Sequence, residues 1–169
     1  MTKTPIEIDV YSDPICPWCY IGYKRFQKAK ELRPDFDVKI RWLSFQLNPD
    51  MPSEGMDRQT YLDTKFGGRA NATQFYSQIA AAGKSEGIDF KFDDIQKTPN
   101  TVEAHRLSLF AATQGKQDEL MERLFESYFL EGKNIGERDI LIKIATEVGL
   151  KGADEYLDGA QCNEDVLYT

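Results

Sequence analysis

Apolar and acidic residues alternate along Ile6-Glu7-Ile8-Asp9-Val10-Tyr11, and the alternation stops at Ser12-Asp13-Pro14. A period of two predicts a strand ended by a turn. From Tyr20 to Leu32 the period changes. Ile21, Phe26, Ala29 and Leu32 approximate one helical face, basic residues occupy the rest, and Pro34 stops the run. Val38, Ile40 and Trp42 then alternate with Lys39 and Arg41, which predicts a second strand through about Phe45. Strand, helix and strand make a βαβ unit, whose strands should be parallel with a right-handed crossover. Both strands then end at one sheet edge, where open α/β sheets place their ligands. That edge carries the segment after Pro14 and the later loop Gln46-Leu47-Asn48-Pro49-Asp50.

Beyond about residue 57 no period-two segment recurs and helical faces take over. Tyr61, Leu62, Lys65 and Phe66 form one before Gly67-Gly68, and Phe75, Ile79 and Ala82 form a second, ending near Gly83 or Gly87. Asn100 followed by Glu103 has the spacing of a capping box, with Ala104, Leu107, Leu109, Phe110 and Ala111 on the buried side behind it. Leu120, Met121, Leu124, Phe125, Tyr128 and Phe129 are strongly apolar, and 139–148 adds one more helix before Gly149. The aromatic members read as core, and Met51, Met56 and Met121 as core or loop residues. The expected organisation is an α/β fold in three stretches. Residues 1–52 begin a sheet domain, 53–152 form an inserted helical domain, and 153–169 start a helix returning to the sheet.

A length of 169 residues suits one large domain or a core with an inserted lobe, and should bury roughly two-thirds of the unfolded surface. The 41% hydrophobic and 29% charged content exclude a disordered or fibrous chain. A net charge of −7 argues against nucleic-acid binding by bulk electrostatics. No apolar run approaches the length of a membrane span, and the first residues lack a signal-peptide pattern, so the expected location is the cytoplasm.

Three cysteines are too few for a disulfide scaffold. Cys162 stands alone and reads as a structural thiol. Cys16-Pro17-Trp18-Cys19 is different, because it follows a strand and opens a helix. Unpaired N–H groups at a helix start stabilise a thiolate, so Cys16 is the expected nucleophile, with Cys19 one turn later able to resolve a mixed disulfide. Pro17 fits the first helical position, where its missing N–H costs nothing. Trp18 offers an apolar collar but no positive charge. Zinc would need four ligands, and only Cys162 and the sole histidine, His105, remain as candidates, so no metal is expected. Two buried, inert thiols are the plain alternative.

The segment Tyr11-Ser12-Asp13-Pro14-Ile15-Cys16-Pro17-Trp18-Cys19-Tyr20-Ile21-Gly22 resembles the active-site segment of the DsbA family, in its FrnE-like branch. The likeness continues through Phe45–Pro52, Lys65–Gly68 and Thr98–Leu107, nearly the whole chain. It implies a thioredoxin-like sheet with a helical insertion, and thiol–disulfide oxidoreduction through Cys16 and Cys19 supported by Pro17 and Trp18. The implied partners are protein or small-molecule thiols and disulfides, with glutathione as a redox partner rather than a bound cofactor. Asn48, Asn100 and His105 would line the cleft, although His105 also fits a packing role. Relatives of the same fold are glutathione-dependent isomerases and transferases, which usually carry serine where Cys16 stands, and a non-catalytic binding module is a third reading. The family also has a cis-proline loop and closing strands after the lobe. No proline here lies beyond Pro99, so the resemblance leads one to expect roughly 40 to 60 further residues, at the usual domain size. Without them the sheet edge should stand open or be covered by a second copy in a homodimer.

Overall fold

A computed structural model describes residues 4–161 and 163–167. Cys162 lies outside the described residues. Strand β1 (Thr4–Ser12) leads through a turn into helix α1 (Pro17–Leu32), which returns to strand β2 (Phe36–Ser44). The strands pair in parallel from Thr4 opposite Phe36 to Ser12 opposite Ser44, as the period-two patterns require. In this register Ile6, Ile8 and Val10 meet Val38, Ile40 and Trp42 on one face. The other face is exposed, and there Arg41 forks onto Asp9 at 2.8 and 2.6 Å. Among the described residues β1 pairs with β2 alone.

The chain then builds its lobe from α2 (Arg58–Phe66), α3 (Arg69–Ser85), α4 (Val102–Thr113), α5 (Gln117–Phe129), α6 (Arg138–Glu147) and α7 (Ala153–Asp158), followed by a short α8 (Asn163–Leu167). Gly67 ends α2 with a left-handed φ of 71°, and its N–H bonds the Asp63 carbonyl, a C-cap that side chains with a Cβ adopt at a cost. The core joins lobe and sheet without a break. Tyr20 of α1 stacks on Phe125 at 5.0 Å, and Trp42 of β2 meets Phe125 and Tyr23 edge-on. All six apolar residues read from α5 are buried.

Three features depart from the sequence reading. A two-residue antiparallel ladder joins β3 (Met56–Asp57) to β4 (Lys97–Thr98), each too short to show a period. Asn100 and Glu103 do not form a capping box. The Asn100 side chain accepts from Val102 N–H at 2.9 Å and donates to the Met51 carbonyl, while Glu103 pairs with Arg106. Finally, the buried side of α4 is wider than the apolar stripe. It includes His105, Arg106 and Ser108, whereas Leu109 and Phe110 are half-buried, because α4 is wrapped by β2, α5, α6, α7 and α8.

Candidate active site

β1 ends at Ser12, and the Asp13-Pro14-Ile15 turn brings Cys16 to the start of α1. Cys16 N–H bonds the Asp13 carbonyl at 2.9 Å, while Ile15 N–H donates to Asp13 Oδ1 at 3.2 Å. Cys16 is the N-cap, with extended backbone and no side-chain cap bond, and Pro17 occupies the first turn. The Cys16 carbonyl accepts from Cys19 and Tyr20 N–H at 3.1 and 3.3 Å, which places Cys19 one turn along. Both thiols are free and half-buried. Trp18 is 48% exposed, and Phe45 and Leu47 on the loop after β2 are 47% and 38% exposed. With Tyr11, 58% exposed near the end of β1, they are large apolar side chains left exposed around the sheet's C-terminal edge.

The two sulfurs are hydrogen-bonded and titrate as a pair. Cys16 donates to Cys19, whose thiol is lowered to about 6 against the cost of burial; the Asp13 N–H also favours its thiolate. The same bond, with burial, pushes the Cys16 thiol up. As a unit, the pair loses its first proton more readily than a free thiol and holds the second more tightly. The start of α1 acts on the pair through Cys16, where the Cys19 N–H favours the thiolate.

Beneath the pair lies a residue that sequence reasoning missed. Asp13 is 1% exposed, and its carboxylate binds three segments at once. It accepts from Ile15 N–H in its own turn, from Leu47 N–H at 2.8 Å in the loop after β2, and from Thr101 Oγ1 at 3.4 Å before α4. Burial pushes its carboxyl up to about 7, although the Leu47 and Ile15 bonds pull the other way. His105 completes the cluster. Its Nε2 donates to the Phe45 carbonyl at 3.1 Å and stands 3.9 Å from Asp13 Oδ1. Burial holds the imidazole down to about 4, hence neutral at pH 7. The available signal for Asp13 was an acidic residue in the turn between a strand and a Cys-bearing helix.

His105 is thus brought to the cysteine turn, through Asp13 and Phe45. Asn100 is occupied in joining the Met51 loop to α4. Asn48 Oδ1 accepts from Lys65 Nζ at 2.9 Å and Tyr61 Oη at 3.4 Å, while its Nδ2 is buried without a partner. Among the described residues no group of three His, Cys, Asp or Glu side chains is placed to hold a metal ion. Likewise, no helix there is long and apolar enough to cross a membrane.

Residues 7–168 match the DsbA-like thioredoxin domain. Bacillus subtilis (strain 168) YwbO is 32% identical over 148 residues, 88% of this chain and 68% of that protein. A probable DsbA oxidoreductase from Streptomyces coelicolor superposes with a TM-score of 0.85 at 26% identity, over 95% of this chain and 71% of the other. The cytosolic disulfide reductase DsbM from Pseudomonas aeruginosa shares the fold, with a TM-score of 0.67 at 19% identity over 96% of this chain and 73% of its own. An α/β arrangement with a helical insertion, a strand–Cys-x-x-Cys–helix edge and a domain match over nearly every residue agree, and the chain belongs to the DsbA-like thioredoxin-domain family.

Proposed function

We propose that the protein is a thiol–disulfide oxidoreductase working through Cys16 and Cys19, on protein or small-molecule thiols, in the cytoplasm. The observation that carries the reading is the geometry of the pair: Cys16 caps α1 just after β1, and Cys19 lies one turn along with its N–H on the Cys16 carbonyl, so both thiols stand at the same sheet edge. In the reducing direction the proton passes from Cys16 to Cys19 along their hydrogen bond, leaving a thiolate at the helix start. That thiolate attacks one sulfur of a substrate disulfide, a Cys16–substrate disulfide forms, and the other substrate sulfur leaves as a thiolate. Cys19, deprotonated again with help from the Asp13 N–H, attacks Cys16 Sγ. The second substrate thiolate departs and the Cys16–Cys19 disulfide remains. Two electrons have moved from the pair to the substrate, and the proton given up by Cys19 goes to a released thiolate or to Asp13, whose carboxyl near 7 suits it as a holding site. The oxidising direction reverses each step.

Trp18, Phe45 and Leu47 give the attacked disulfide an apolar approach, and Pro17 fixes the turn. Glutathione is the proposed redox partner, a reading supported by the structure of the similarly folded DsbM solved with GSH. The test is trapping. Cys19→Ala incubated with oxidised glutathione should accumulate a mixed disulfide that peptide mapping assigns to Cys16. An unmodified Cys16 in that variant would overturn the assignment.

A further inference from the structure

The lobe carries a cleft of about 590 Å³ between α2, α3 and the 90–96 segment, with neither cysteine in its lining. Arg58 lines it and is 9% exposed. Its Nη1 donates to Thr98 Oγ1 at 3.1 Å, and its guanidinium lies 5.1 Å from the Tyr76 ring and 5.5 Å from that of Tyr61. Its Nε is buried with no partner, and among the described residues no carboxylate pairs with it. A guanidinium held so far from water without an anion is costly, and aromatic faces offset that only in part. Arg69 stands at the same cleft, exposed and 4.0 Å from a fully exposed Asp93. The apolar side is aromatic: Tyr76 and Phe92 lie 4.6 Å apart with their rings tilted by 43°, and Phe90 stacks on Phe92 at 4.8 Å and 11°.

We propose that this cleft is a binding site for a small planar organic monoanion, an aromatic carboxylate, its charge toward Arg58 and Arg69 and its ring against Tyr76 and Phe92. Planarity follows from the aromatic wall, since flat rings pack best by offset stacking or edge contact. A single charge follows from the rim. Arg69 already faces Asp93, and Asp57 caps α2 through Thr60 N–H, so among the described residues Arg58 is the one cation of the cleft left without a carboxylate, and a single negative charge balances it. A carboxylate also matches the guanidinium fork, which a spherical halide does not. The site needs neither cysteine and is independent of the redox reading.

Calorimetric titration with 2-naphthoate, alongside its neutral isostere 2-naphthalenemethanol, tests the proposal, with backbone amide NMR shifts to locate binding. Naphthoate should shift the amides of α3 around Ser77 and Ala80 and bind roughly tenfold or more tighter than the alcohol, the usual scale for a hydrogen-bonded charge in a partly desolvated site. Arg69→Ala should weaken it, and Ser77→Trp, on an exposed turn of α3 at the cleft, should abolish it while leaving the circular dichroism of the protein unchanged. Equal affinity for the alcohol, displacement by inorganic phosphate, indifference to Ser77→Trp, or absence of any saturable binding would each overturn the proposal.

Discussion

Asp13 and His105 lie 3.9 Å apart in the same buried cluster and should shape stability with opposite signs. Asp13 is raised from 3.8 to about 7, so between those values the folded state holds a proton the unfolded state has lost, and stability falls as pH rises. His105 is lowered from 6.5 to about 4, so in that window the unfolded state binds the extra proton, and stability rises with pH. The two slopes largely cancel across the overlap. Asp13→Asn should therefore unmask a rise in urea midpoint from pH 4 to 6.5, and His105→Gln a fall from pH 4 to 7. A flat profile in both variants would mean that neither group is shifted as the burial implies. Trp18 carries a second expectation at this scale. A histidine there would add positive charge beside the sulfurs and stabilise the thiolate form. Trp18→His should make the disulfide more oxidising by about 30 mV or more, a tenfold shift in the exchange equilibrium. An unchanged potential would show that residue 18 does not reach the charge.

Between elements, the joint most exposed to a single change is that of β2 with α5. Trp42 N–H and C=O point away from β1, and both are taken by the Gln117 amide, at 3.1 and 3.0 Å, so one side chain stands in for a rung of a third strand. Trp42 Nε1 adds a bond to Asp118 at 2.6 Å. Gln117→Ala strips two buried backbone groups of partners and should cost about 1–3 kcal/mol in urea unfolding. A loss under a few tenths would mean that water replaces the amide. β1, α1 and β2 were legible in the sequence because each has one buried face and therefore a clean period. The α5 face was legible for the same reason. The Gln117 clip and the β3–β4 ladder were not, since they rest on single side chains and two-residue pairings that leave no periodic trace. The Asn100 capping box failed for a related reason. The helix is capped at Thr101, one residue later than the spacing implies, and the Glu103 carboxylate pairs with Arg106 instead of reaching back. The cysteines announced the site, while Asp13, which organises it, was hidden in what reads as an ordinary Asp-Pro turn.

At the scale of the whole molecule, the α/β chemistry sits where topology puts it. Parallel strands end at one edge, and the lobe returns α4 to that edge so that Thr101 and His105 reach the cysteine turn from residues some ninety positions away. In the proposed function, the exposed Trp18, Phe45 and Leu47 offer a substrate an apolar approach at this edge. The central claim is that this edge exchanges electrons as one two-electron pair. The most direct measurement holds the protein in glutathione buffers of graded oxidation, quenches with acid, alkylates the free thiols and weighs the products. A single transition between the dithiol and an internal Cys16–Cys19 disulfide is expected, lost in Cys16→Ser. A pair that stays reduced across the series, or that takes up glutathione on each sulfur separately without closing, would contradict it.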